Sequence, residues 1–348
     1  MKHDIFYTWI DSLRVSATLA VIFVHVNGDI LYQYGSISNL DWWTGNVYGS
    51  CLRFCVPIFL MISGALILPK SYKSLGEYLK KRVLRILFPF LFWSIIYVAR
   101  LIFIKLNQGE YMTFTENLKF ICDKLFMSSA SVHLWYIYLI IGLYLFFPII
   151  GKWINNSSKR EIEYFIGIWF ITLFLPIPLV KDFIPHIELS YFSGYIGFPI
   201  LGYYLTKFNF EFNQKKLIYI LLILTGFLIT LFGTYFDSER RGHFELMAFY
   251  NYRSPNVALL SIGIFLLFKD FVQCSAKTSS VILFFSKYSY GTYLIHVLVL
   301  VILSKVGFTY SFIHPIIGMP VTSVLCLIIS TIMIWGVNKL PFGKYISG

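Results

Sequence analysis

Long apolar runs separated by short polar breaks recur along the chain, with none of the two-residue alternation of a half-buried strand. A helix needs about 20 mostly apolar residues to cross about 30 Å of hydrocarbon. Ten segments are expected to do so: 9–27, 45–69, 84–106, 133–151, 162–178, 191–206, 216–236, 254–270, 284–304 and 312–336. The clearest are 133–151 and 216–236, the latter with only Lys216 at its edge. Segment 162–178 is interrupted by Pro176 and Pro178, and 191–206 is short. Proline is tolerated in spans where neighbours re-satisfy the freed backbone groups. The pattern predicts an all-α fold, a polytopic membrane bundle of about ten helices forming one domain over 1–348.

Composition agrees. Hydrophobic residues make up 57% of the chain and charged residues 13%, about half the charged share of a soluble protein. Much of the apolar surface must therefore face lipid. The first apolar run contains Asp11, Arg14 and His25 and no small-residue cleavage site follows it, so it does not read as a cleavable signal peptide. The longest polar stretch covers roughly 107 to 132, which leaves no room for a soluble domain. The net charge is +12. In a soluble protein that would suggest nucleic acid, but no basic recognition element is present, and no nucleic-acid partner is expected. Cytoplasmic loops of membrane proteins collect Lys and Arg. With the N-terminus inside, eighteen of these cations fall in inner segments and nine in outer ones, so both termini are expected in the cytoplasm. The five cysteines form no CxxC and no Cys/His cluster; Cys51 and Cys55 read as small packing residues on one helix face, and no metal is expected.

Ionisable groups inside a span cost about 2.5–3.5 kcal/mol each on insertion scales, and persist where they face a cavity or a partner. At 100° per residue, the eleven residues from Arg14 to His25 return to within about 20° of the same direction, and Asp11 falls in the same sector. These three residues form a polar seam along the first span, although Asp11 and Arg14 also fit a plain ion pair at the inner end. Arg53 enters the second span at a depth comparable to His25, just before Pro57 and Gly64. Lys81, Arg82 and Arg85 stand at the mouth of the third span, as inner-face charge or as a vestibule for a phosphate-bearing donor. His133 and Trp135 open the fourth span; Tyr288, Tyr290, Tyr293 and His296 lie on the ninth. Trp42, Trp43 and Tyr48 are possible outer stacking surfaces for a sugar. No P-loop, GxSxG, HExxH or Asp-rich cluster is present, which leaves intramembrane His and Arg as the chemistry.

Arg14 and His25 with ten residues between them, inside IDSLRVSATLAVIFVH, resemble the signature of the acyltransferase 3 family. The similarity continues in order through LRFCVPIFLMISG (52–64), KRVLRILFPFLFW (81–93), HLWYIYLIIGLYLFFPII (133–150), FPILGYYL (198–205) and YSYGTYLIH (288–296). Within the family it looks like the enterobacterial common antigen or O-antigen O-acetyltransferase type, which carries no appended extracytoplasmic domain. The resemblance implies a bacterial cytoplasmic-membrane enzyme that moves an acyl group, usually acetyl, from cytoplasmic acyl-CoA to a hydroxyl of a cell-envelope polysaccharide or lipid-linked saccharide. The membrane domain itself would then serve the acceptor. His25 matches the family's essential histidine, Arg14 its paired arginine, and Arg53 the arginine before the VPxF motif. The catalytic candidates are His25 and Arg14. The substrate-binding candidates are Asp11, Arg53, Arg82, Arg85, His133, Trp135 and His296, with acetyl-CoA as donor substrate. His25 would act as base or as transient acyl carrier. A glycolipid flippase or polysaccharide exporter would use a similar polar cavity and is the alternative from another class.

Overall fold

Several helix starts are set by single residues. The computed structural model describes residues 2–177, 188–211, 213–273 and 276–348; Pro178, Lys181, Cys274 and the side chains of 2–7 and 276–277 lie outside the described residues. Ser38, Ser74, Thr113 and Ser158 each accept a hydrogen bond from the backbone N–H three residues on, and so start α2 (Asn39–Leu52), α4 (Leu75–Asn107), α5 (Phe114–Cys122) and α7 (Lys159–Thr172). Pro255 and Pro315 open α10 (Pro255–Phe271) and α12 (Pro315–Lys339), where a missing N–H costs nothing. The remaining helices are α1 (Lys2–Val26), α3 (Cys55–Ile67), α6 (Trp135–Asn156), α8 (Gly197–Lys207), α9 (Lys215–Arg241) and α11 (Ala276–Lys305). Every regular element among the described residues is helical.

Among the described residues seven stretches are long and apolar enough to cross a membrane: α1, α2 with α3, α4, α6, α9, α11 and α12. This is a multi-pass bundle, and among the described residues three of the ten expected spans are not among these seven. α7 has 14 residues, α8 has 11 and α10 has 17. At 1.5 Å per residue α8 rises about 16 Å, roughly half the hydrocarbon thickness. It is almost wholly buried against α3. A Cβ on Gly64 would meet the Pro199 backbone oxygen at 1.9 Å, and one on Gly202 would meet the Met61 backbone oxygen at 2.1 Å. The two helices are therefore in backbone contact, the close approach that small residues permit in membranes. Lys269 of α10 donates to the Leu205 carbonyl at 2.6 Å and satisfies part of the α8 C-terminus.

The expected segment 45–69 is two helices, with a break at Arg53–Phe54. Pro57 is the reason: it has no N–H for the Arg53 carbonyl four residues back, and its ring crowds that carbonyl. Cys51 and Cys55 consequently sit on different helices, the first exposed and the second buried. The polar stretch 107–132 is not all loop, since α5 lies within it. α1 and α11 pack in parallel. Arg14 meets Ser286 partway along the two helices, and His25 meets His296 farther along both. α12 returns antiparallel, with Thr331 opposite Thr292 and Cys326 opposite His296.

Candidate active site

The polar seam of α1 divides into two stations. At the first, Arg14 donates to Asp11 at 2.9 Å and to Ser286 of α11 at 2.8 Å, and Ser286 donates to Asp11. Arg14 and Asp11 thus form the ion pair the sequence allowed, but Arg14 also borders a cavity of about 410 Å³. Lys81, Arg82 and Arg85 from α4 and Lys287 from α11 border the same cavity, so five cationic side chains face one space. Besides Arg14, two are partly engaged: Lys81 pairs with Glu77 at 2.7 Å, and Arg82 donates to the Tyr72 hydroxyl at 2.9 Å. Arg85 and Lys287 are exposed. The cavity lies within the 300–1,000 Å³ range of ligand pockets. Its cationic lining gives way to Tyr136, Tyr144, Tyr290 and Tyr293. Tyr293 is six residues beyond Lys287, about 9 Å along α11.

Tyr293 joins the cavity to the second station. Its hydroxyl donates to the His133 carbonyl, and its ring lies 5.5 Å from that of His133 and 5.6 Å from that of His296. Behind it three histidines from three helical segments converge. Ring centroids are 5.1 Å apart for His25 and His296, 4.8 Å for His133 and His296, and 6.0 Å for His25 and His133. His133 and His296 are fully buried, whereas His25 is half-buried and keeps an open edge. Bonding partners fix two tautomers. His296 Nδ1 donates to the Tyr293 carbonyl at 2.6 Å, so its Nε2 carries the lone pair. His133 Nε2 donates to the Leu294 carbonyl at 3.3 Å, and its Nδ1 accepts from Ser131 at 3.0 Å.

Arg53 sits at the break between α2 and α3, 5% exposed. Its guanidinium lies 4.5 Å from the centroid of the Tyr250 ring and 4.8 Å from that of Tyr252. Among the described residues no carboxylate pairs with it, and its Nε is buried without a hydrogen-bond partner. It is close enough to His25 to act on its charge. Tyr250 is fixed in turn: its hydroxyl donates to Asn46 at 2.9 Å, and Ser50 lies 3.1 Å away. Gly49 leaves the space for this, because a Cβ there would meet the Tyr250 oxygen at 2.6 Å. Cation–π contacts strengthen to about 2 kcal/mol or more when desolvated. They hold the arginine flat without neutralising it. Trp135, 36% exposed, stacks on Tyr252 at 6.1 Å and 24° and adjoins Tyr195.

Residues 7–335 match an acyltransferase domain, and the match takes in both stations and the cavity between them. The chain belongs to the acyltransferase 3 family. No curated protein and no solved structure matches it significantly. In this acyltransferase 3 member the candidates fall into two groups. Asp11, Arg14, Arg82 and Arg85 gather at the cationic part of the cavity; His25, His133, His296, Arg53 and Trp135 do not line it and gather behind its Tyr136 and Tyr293. Arg14 and His25 share a helix sector but stand about 16 Å apart along α1, so they do not touch the same atoms.

Of the aromatic residues expected as a surface for a sugar, one is corrected and two stay partly open. Trp42 is buried with its indole N–H on the Leu31 carbonyl at 3.2 Å, Trp43 packs on Tyr235 at 4.8 Å, and Tyr48 donates to the Ile316 carbonyl at 2.9 Å. Trp42 is a packing residue, whereas Trp43 and Tyr48 are partly exposed. Ser286, Ser131, Tyr250 and Tyr252 were missed. Of these only Tyr250 and Tyr252 carried a signal, as aromatic residues crowded beside Arg253 just before the helix-starting Pro255. Among the described residues no group of three or more His, Cys, Asp or Glu is placed to hold a metal.

Proposed function

We propose that this acyltransferase 3 member is an O-acyltransferase that takes an acyl group, most simply acetyl, from acyl-CoA and places it on a hydroxyl of a cell-envelope glycan. The observation that carries the reading is the 410 Å³ cavity, which runs from clustered cations to the tyrosines on which the histidines pack. Coenzyme A is a phosphate-bearing nucleotide at one end and a thioester at the other. Arg82 and Arg85, with Lys81 and Lys287, hold the phosphates. Arg14, its charge already met by Asp11, orients the donor along the cavity, and the thioester reaches the far side near His25.

Acyl transfer requires a deprotonated hydroxyl and a place for the developing oxyanion. His25, with its open edge, takes the hydroxyl proton. Arg53 holds the oxyanion; it is buried, unpaired and near His25, whereas Arg14 is already paired. The proton then passes to the departing thiolate sulfur as the C–S bond breaks. Trp135 and Tyr252 offer the acceptor a ring face. In this reading residues 1–348 act as one domain in the bacterial cytoplasmic membrane, of the common-antigen or O-antigen type, with both termini and the cavity mouth facing the cytoplasm. Mass spectrometry of surface glycan from cells with and without the protein tests it. Acyl esters present only with the protein support the proposal; identical glycans overturn it.

A further inference from the structure

The histidine cluster contains one polar atom that the proposed chemistry leaves unused. His296 Nε2 is fully buried and has no hydrogen-bond partner. A buried acceptor without a partner costs about 1–3 kcal/mol. Its identity as an acceptor is settled by the other nitrogen, since Nδ1 donates to the Tyr293 carbonyl at 2.6 Å. The neighbouring His133 has both nitrogens engaged, to Leu294 and Ser131. The ring of His25, with its centroid 5.1 Å away at an interplanar angle of 47°, makes no hydrogen bond to the described residues and is the nearest ring that could present an N–H to it. The other groups around the pair are Tyr293, whose ring lies 5.6 Å from His296, His133 with Tyr97 against it, the Cys326 thiol on the His296 carbonyl at 3.4 Å, and Arg53 within electrostatic reach of His25. Among the described residues around it there is no carboxylate to orient His25.

We infer that His296 is the positioning residue of His25. Its Nε2 lone pair accepts the N–H of the His25 nitrogen that faces away from the substrate. That bond fixes one tautomer of His25 and leaves the opposite nitrogen as the base. When His25 takes the acceptor hydroxyl proton, the same bond stabilises the imidazolium until the proton moves on to the thiolate. This is the part a buried carboxylate plays in a serine hydrolase triad, performed by a neutral imidazole that suits a low-dielectric interior. His133, saturated by its own bonds, packs the pair without joining it.

The inference rests on the acyl-transfer reading, and its test separates the two. An Asn side chain places its amide N–H where His Nδ1 stood, and a Gln side chain places its amide oxygen where Nε2 stood. His296→Asn therefore keeps the bond to Tyr293 and loses the acceptor; His296→Gln keeps the acceptor and loses the bond to Tyr293. Each variant, purified in lipid nanodiscs, is given acetyl-CoA with an extract of its host's envelope glycan, and release of the CoA thiol is followed. ¹⁵N NMR of histidine-labelled protein reports the His25 tautomer. His296→Gln is expected to hold kcat within tenfold of the parent with a single His25 tautomer. His296→Asn is expected to lose about 10² or more in kcat, with KM for acetyl-CoA within twofold and a mixture of His25 tautomers. Activity kept by Asn and lost by Gln, or kept by both, overturns the inference. If both lose activity, an unaltered His25 tautomer in the Asn variant overturns it and a mixed one supports it. If the parent protein itself releases no thiol, the acyl-transfer reading fails, and the NMR comparison still decides whether His296 holds His25.

Discussion

Replacing Arg53 with methionine separates folding from chemistry, because the two effects are of different size. The side chain is 5% exposed between the rings of Tyr250 and Tyr252 and has no carboxylate partner among the described residues. Losing two cation–π contacts costs about 1–4 kcal/mol in sum. Removing a charge from a membrane interior returns about 2.5–3.5 kcal/mol, and methionine fills much of the same volume. The balance lies within about 2 kcal/mol of zero, which for a chain of this size moves Tm by only a few degrees. The effect on chemistry is one-sided. A donor lost from an oxyanion site costs about 2.7–4 kcal/mol, or 10²–10³ in kcat. Arg53→Met should therefore show near-parental thermal unfolding in detergent while thiol release from acetyl-CoA falls at least a hundredfold. Arg53→Lys should fall between, since it keeps the charge but loses the flat face that fits between two rings. A methionine variant that unfolds many degrees early would make Arg53 a structural residue. One that transfers at the parental rate would remove it from the mechanism.

Three further outcomes follow from the same geometry. Replacing Arg82 and Arg85 together with alanine should raise KM for acetyl-CoA tenfold or more with a smaller change in kcat, as loss of uniform binding does; an unchanged KM would leave them as inner-face charge only. Reporter fusions within 70–80 and after 348 should both read cytoplasm, and one within 107–132 should read the opposite side; disagreement between the first two would overturn the shared-side topology. Gly202→Leu should reduce folded protein recovered in detergent, because its Cβ would meet the Met61 backbone oxygen at 2.1 Å and backbone cannot step aside cheaply, whereas Gly142→Leu, with nothing within 4 Å, should be recovered at the parental level.

Charges in apolar runs made half of this site legible. Asp11, Arg14, His25 and Arg53 stand out because they are the only Asp, Glu, Lys, Arg or His residues in those segments, and Pro57 announced the break that frees Arg53. The meeting of the three histidines did not stand out. It depends on α1 and α11 packing in parallel across more than 250 residues of sequence, a long-range pairing that no local pattern encodes. Ser286, which ties Arg14 to α11, is a common residue type with no periodic signal. Trp42 and Trp135 look alike in sequence, yet one is buried in an aromatic stack and the other is open beside Tyr252, because residue type alone cannot separate an interface anchor from a packed ring. Seven of the ten expected spans are long and apolar enough to cross among the described residues, and the short α8 shows why the others are harder to read. An apolar run shows that a segment avoids water, and α8, only 11 residues long, does so largely by pressing its backbone onto α3.

The central claim is that His25 performs acyl transfer with a donor held in the cationic cavity. The direct measurement is transfer from radiolabelled acetyl-CoA to host envelope glycan by purified protein in proteoliposomes, comparing the parent with His25→Ala. The account predicts labelled glycan from the parent, and none above background from a variant that inserts and unfolds like the parent. Loss of general base catalysis alone accounts for about 10²–10⁴-fold. A correctly folded His25→Ala protein that labels glycan at a rate near the parent's would contradict the account.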